Sequence, residues 1–138
     1  MLKNRKAGFY LSLAAAFVAL AGAAAYLIAY FVTRDPVTGT WDRVFRWAVF
    51  GLMLGGALVS AAGECFRLHA APIAAGVLYG LGLAMHLTQA AYPIADVLTK
   101  VAFFGGSAPL AILFSAIFGL AAMLHMVGAF LSHEGETA

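Results

Sequence analysis

The sequence predicts an all-α membrane protein, an antiparallel bundle of four transmembrane helices in a single domain over residues 1–138. Hydrophobic residues make up 64% of the chain and charged residues only 10%, with a mean hydropathy of +0.94. Soluble domains are about half apolar and a quarter charged. Four apolar runs reach the roughly 20 residues that a spanning helix needs. Because backbone groups must be paired inside a bilayer, such uninterrupted runs fold as helices.

The predicted helices cover residues 7–32, 44–66, 70–95 and 109–131. The first run follows a basic segment and contains Ala21-Gly22-Ala23, which resembles the cleavage site of a secretory signal. The run continues to Tyr30 and is longer than a typical signal core. We therefore expect it to be a spanning helix that stays on the protein.

Charge is sparse and indicates an orientation. Eight basic and six acidic residues give a net charge of +2, too little for a nucleic-acid-binding surface. Lys3, Arg5 and Lys6 precede the first helix, and such clusters stay on the cytoplasmic side. Four spans then return the C-terminus to the same side. Tyr26 and Tyr30, near the far end of helix 1, are typical of interfacial anchors.

A polar stripe runs through the third helix. Tyr79, His86 and Gln89 recur at spacings that place them on one helical face. Pro93 has no N–H to donate to the carbonyl of Gln89, which leaves an acceptor one turn past the histidine. These three side chains are candidates for lining a ligand cavity that opens near Pro93. The alternative is that they bond to neighbouring helices, as polar groups in membrane bundles often do.

Glu64 is the only acidic residue inside an apolar run. An ionisable group within a membrane helix is a functional candidate, and here the role would be proton coupling. Glu64 also lies near the end of its run and three residues before Arg67. The alternative is therefore an interfacial ion pair on one helix turn.

Small residues predict close helix packing. The candidates are Gly51, Gly55, Gly56, Gly76 and Gly80, which form or extend small-xxx-small patterns in helices 2 and 3. Such patterns let helix backbones approach closely, either within one chain or between protomers.

Cofactor and catalytic motifs are absent. His86 and His125 are the deep histidines, but counting residues from the helix ends places them more than about 10 Å apart in depth. This argues against a bis-histidine haem b. Cys65 is the single cysteine, which excludes an internal disulfide and a CxxC metal site. Met123 and Met126 more often fill apolar gaps than bind metal. No catalytic triad or phosphate loop is present, so we predict no metal, no cofactor and no enzyme activity.

The two ends of the chain resemble those of one group of proteins. The residues that carry the resemblance are Lys3-Asn4-Arg5-Lys6-Ala7-Gly8-Phe9-Tyr10-Leu11 at the start and Val127-Gly128-Ala129-Phe130-Leu131-Ser132-His133-Glu134 at the end. The proteins of this group are small, uncharacterised four-helix integral membrane proteins of anaerobic Gram-positive bacteria. The resemblance spans the chain in length and helix order. It implies a bacterial plasma-membrane location and transfers no activity and no functional residue.

Three functions fit these observations. The leading hypothesis is a non-enzymatic accessory or assembly subunit that packs against a membrane partner, or against a second copy, through small-residue faces. The second is a small transporter or ligand-binding protein that uses the Tyr79, His86 and Gln89 face, with Glu64 coupling protons. The third is a membrane anchor of a redox complex.

Overall fold

The chain forms four helices joined by short connections. The computed structural model describes residues 7–40 and 42–131, and the predicted basic cluster and residues 132–138 lie outside them. The helices are α1 (Ala7–Thr33), α2 (Trp47–Phe66), α3 (Ala71–Thr99) and α4 (Ala108–Phe130), with no strand among the described residues. Each helix is long and apolar enough to cross a membrane. The prediction of an all-α fold with four helices is confirmed.

Two helix ends differ from the prediction by more than one residue. Helix α2 begins at Trp47 rather than at residue 44, because Asp42 holds a tight turn. Its carboxylate accepts from the Val44 N–H at 2.9 Å, and its carbonyl accepts from the Phe45 N–H at 3.1 Å. Helix α3 continues through Pro93 to Thr99. A proline removes only one helical donor, so the remaining hydrogen bonds carry the helix onward.

The helices pack as a ring in chain order. Helix α1 contacts α2 and α4, and α3 contacts the same two helices. Large apolar side chains point outward from all four helices, among them Phe17, Leu58, Ile73 and Met123. A bundle that is apolar on its outside as well as its inside is typical of a membrane-spanning domain.

Alanine and glycine bring α1 close to its neighbours. Ala15, Ala19 and Ala23 are at most 1% exposed and line the buried face of α1. A Cβ added to Gly128 of α4 would lie 3.0 Å from the backbone nitrogen of Ser12. The small residues of α1 therefore lie inside the bundle. Backbones this close leave no room for larger side chains, which is how small residues stabilise membrane helix pairs.

Aromatic rings fill the end of the bundle near the α1–α2 connection. Tyr26 stacks on Phe45 with ring centroids 4.8 Å apart and meets Phe114 edge-on at 4.9 Å. Tyr30 lies 4.4 Å from Phe45. Both tyrosines are buried, so the prediction that they anchor the protein at the lipid interface is wrong. Their face of α1 is turned toward α2 and α4 rather than toward lipid.

Candidate functional site

The predicted polar stripe of α3 is divided between two environments. Tyr79 and His86 are buried at 1% and 0% exposure. Gln89 is half-buried, and its side-chain oxygen accepts a hydrogen bond of 2.9 Å from the Arg46 guanidinium. Gln89 therefore ties α3 to the residue preceding α2. The three residues face neighbouring helices, and none of them is among the residues that line the cavities at either end of the bundle.

His86 joins α3 to α4. Its Nε2 lies 3.2 Å from the carbonyl oxygen of Ala111, so Nε2 carries the proton and donates it. Its ring is enclosed by Tyr26 at 5.8 Å and Phe118 at 5.3 Å between centroids. Its Nδ1 has no hydrogen-bond partner within the described ranges. This histidine is packed by aromatic rings and holds two helices together.

Tyr79 is wedged between α2 and α4. Its ring lies 5.1 Å from the His125 ring and directly against Gly56, where an added Cβ would lie 2.7 Å from the ring. Ser60 is near the Tyr79 hydroxyl, but the hydroxyl makes no hydrogen bond of acceptable geometry within the described part of the chain. The tyrosine thus contributes packing in this conformation.

A hydrogen-bond network centred on His125 connects all four helices. Nε2 of His125 donates to the carbonyl of Pro72 at 2.9 Å, since a carbonyl can only accept. Nδ1 then accepts and lies 3.4 Å from the Ser60 hydroxyl. That hydroxyl also lies 3.3 Å from the carbonyl of Ser12, and because it has a single proton it donates to one of these two acceptors at a time. Helices α1, α2, α3 and α4 each supply one group to this cluster.

A cavity of about 410 Å³ opens beside this network, at the end of the bundle near the α2–α3 connection. Glu64 faces it and is only 7% exposed, whereas Arg67 and His69 are exposed. The cavity lies at the opposite end of α3 from Pro93, where the sequence predicted an opening. Its lining consists of Ser60, Gly63, Glu64, Arg67, Leu68, His69, Ala71, Pro72, His125 and Ala129.

The sequence does not indicate Ser60 or His69 as members of a site, and it brings in His125 only as a haem ligand that depth argues against. Two of these residues come from helices that are distant in the chain, and His69 lies in a connection. A signal did exist for Ser60, which precedes Glu64 by four residues and therefore shares its helix face. No comparable pattern links His125 of α4 to that face.

The predicted packing glycines fall into three groups. Gly56 is in close contact with Tyr79. Gly55 and Gly76 have ordinary neighbours, Leu78 and the His125 ring, at 3.7 Å from an added Cβ. The last two, Gly51 and Gly80, have no described atom within 4 Å of that position.

The two deep histidines cannot share one haem within this chain. His86 and the Pro72 carbonyl that holds His125 are separated by about 21 Å along α3, at roughly 1.5 Å per residue. The described residues also contain no group of three or more His, Cys, Asp or Glu that could hold a metal ion.

The fold and these contacts define a small all-α protein with four helices able to span a membrane and a polar cavity at one end of the bundle. No protein-family model, curated protein or solved structure matches this chain. The resemblance to small four-helix membrane proteins of anaerobic Gram-positive bacteria stays a prediction.

Proposed function

We propose that this protein is a non-enzymatic accessory or assembly subunit that packs against a transmembrane helix of another membrane protein. The supporting observation is a row of small residues on the outside of α3. Gly76, Gly80 and Ala84 follow one another at steps of four, and all three are exposed. Within a bilayer, a row of this kind lets a second helix approach to backbone distance.

Gly80 is the centre of this proposed contact surface, which consists of Gly76, Gly80 and Ala84. An added Cβ at Gly80 meets no described atom within 4 Å. The glycine is therefore not required for packing inside the bundle. A partner helix is one explanation for a residue that lowers helix propensity without an internal packing role.

The experiment replaces this glycine by a bulky residue. Gly80→Ile should abolish crosslinking to the partner in native membranes and leave thermal unfolding of the purified protein nearly unchanged. Gly119→Ile is the matched control, because Gly119 also has no atom within 4 Å of an added Cβ but belongs to α4. This control should retain the crosslinked complex.

Three results would contradict the proposal. One is a wild-type protein that runs as a lone monomer in mild detergent and yields no crosslinked product in membranes. Another is the loss of complexes in both glycine variants. A crosslinked product that contains only this chain would replace the heterologous partner by a second copy.

The two other hypotheses have less support. Transport through the Tyr79 and His86 face would need a continuous polar path, and both side chains are enclosed by neighbouring helices. A redox anchor with haem held inside one chain would need two histidines at one depth. A Soret band in the purified protein would revive the redox hypothesis.

The proposed location is a bacterial plasma membrane, with both termini on the cytoplasmic side. The basic residues before α1 and the even number of helices support this orientation. Cysteine accessibility measured at each end of the chain in intact cells would test it.

A further inference from the structure

The polar cavity borders an apolar groove. This groove has a volume of about 510 Å³ and lies along α2 and α3 at the same end of the bundle. Arg67, Leu68, His69 and Ala71 line both spaces. The groove is otherwise lined by the small apolar side chains of Val59, Ala62, Ala70 and Ala74.

The lining groups follow one another in a defined order. Four apolar side chains line the groove alone, those of Val59, Ala62, Ala70 and Ala74, and Glu64 lines the cavity alone. Arg67 and His69 stand at the border. A ligand that occupies both spaces would therefore present an apolar chain first, an anionic group second and a cationic group last.

We propose that the cavity and groove bind one phospholipid whose headgroup ends in a primary amine. Its acyl chain lies in the groove, and its phosphate lies between Arg67 and His69, which are suitable donors to phosphate oxygens. Its ammonium group reaches the carboxylate of Glu64. The amine has N–H groups to donate, whereas a choline headgroup has none. A glycerol headgroup has no positive charge for the carboxylate.

The position of Arg67 and His69 in the bundle is suitable for binding a phospholipid headgroup. Helix α2 ends at Phe66 and α3 begins at Ala71, so Arg67 and His69 lie where the spanning segments stop. Phospholipid headgroups lie at this level, and basic groups there meet the phosphates. The buried Glu64 lies about one helical turn deeper than Arg67, so the headgroup turns back into the cavity for its amine to reach the carboxylate.

The test measures lipid retention by the full-length protein, using native mass spectrometry from detergent. The probes are phosphatidylethanolamine and phosphatidylcholine with identical acyl chains. The wild type should retain the first lipid about tenfold better than the second, the ratio expected for one charged hydrogen-bonded pair. Glu64→Gln, which keeps the side-chain shape, should remove this preference without preventing binding of either lipid.

Arg67 has a matched control at the other end of α3. Arg67 and Lys100 each follow a helix in the left-handed conformation, both with a φ of 56°. Asparagine adopts this conformation more readily than most residues, so the backbone should tolerate either change. Arg67→Asn should lower retention of both lipids about tenfold, for loss of a charged contact, while Lys100→Asn should behave like the wild type.

Equal retention of the two lipids by the wild-type protein would overturn the proposal. So would an equal loss in the Arg67 and Lys100 variants. Free phosphoethanolamine distinguishes a lipid from a soluble ligand. If it displaces the lipid at an equal concentration, then the groove adds nothing and the lipid assignment is wrong.

Discussion

The hydroxyl of Tyr26 donates a hydrogen bond of 2.6 Å to the carbonyl of Val44. The same oxygen accepts a hydrogen bond of 2.9 Å from the backbone N–H of Arg46. One buried side chain of α1 thus satisfies two backbone groups immediately before α2. Because unpaired backbone groups are costly away from water, this residue fixes where the α1–α2 connection ends.

Tyr26→Phe should destabilise the protein. The ring and its aromatic contacts remain, but the Val44 carbonyl and the Arg46 N–H each lose a partner. We expect a loss of about 1–3 kcal/mol in the free energy of unfolding, measured in detergent micelles with a denaturant. Tyr92→Phe is the control, since Tyr92 is 42% exposed and its recorded contact is with the Phe104 ring. Equal stability of the two variants would contradict this account.

Tyr79→Phe should have the opposite effect. The hydroxyl of Tyr79 is buried and has no hydrogen-bond partner in the described ranges, so its removal deletes an unsatisfied polar atom. We expect stability to stay the same or to rise by about 1 kcal/mol. The measurement is the same unfolding experiment, run beside Tyr26→Phe. A marked destabilisation would instead show that the hydroxyl is bonded in the native protein.

This pair of tyrosines shows which part of the structure the sequence could predict. The length of the apolar runs predicted all four helices, because long apolar runs have no other stable form in a bilayer. Whether a tyrosine points into the core or toward lipid depends on how its helix is rotated about its own axis. A helix that is apolar all round gives weak information on rotation, since lipid-facing and core-facing positions carry similar residues. The sequence therefore predicts Tyr26 at the lipid interface, whereas the side chain lies in the core.

The cavity was missed for a related reason. The polar residues of α3 could be grouped because they share one helix. His125, Ser60 and the carbonyl of Pro72 come from three different helices, and only the packing brings them together. The carbonyl of Pro72 is a backbone group that every residue has, so the residue pattern cannot indicate its role. Glu64 was recognised as unusual, but its neighbours across the bundle could not be named.

Gly63→Ala should destabilise the α2–α3 pair. An added Cβ at Gly63 would overlap the Cβ of Ala71. Neither carbon can rotate away, because both are bonded directly to a helix backbone. Overpacking of this kind costs about 1–3 kcal/mol, and thermal unfolding of the purified protein measures it. Gly51→Ala is the control: its added Cβ meets no atom within 4 Å, and the change should stabilise the isolated chain by up to about 1 kcal/mol.

The α1–α2 connection should loosen in acid. The Val37 N–H, and then the Thr38 hydroxyl, bond to the Asp35 carboxylate and hold its pKa below the ordinary value of 3.8. Because folding lowers the pKa of Asp35, the ionised carboxylate stabilises the folded loop fully at pH values above the pKa that Asp35 has in the unfolded chain. This stabilisation is lost as the pH falls through the lower, folded pKa. NMR titration of the Asp35 carboxyl should show both the low pKa and the accompanying shifts of the loop amides.

Thr38→Val should raise the pKa of Asp35 part of the way toward 3.8, because it removes the hydroxyl but keeps the backbone N–H donors of Val37 and residue 38. Thr33→Val is a suitable control, since the hydroxyl of Thr33 bonds to carbonyls of its own helix. An Asp35 pKa that is the same in the wild type and in Thr38→Val would show that the hydroxyl plays no part.

Asp96 should determine the conformation of the α3–α4 connection. Its carboxylate accepts from the backbone N–H of Phe104 at 2.9 Å and of Gly105 at 2.7 Å. Asp96→Ala removes both bonds to a charged acceptor, so we expect a loss of about 1–3 kcal/mol and faster cleavage between residues 100 and 107 in limited proteolysis. Thr99→Ala, which removes a hydroxyl bonded to carbonyls of α3 itself, should be cleaved at the wild-type rate. Equal cleavage of both variants would mean that the connection is held by its backbone alone.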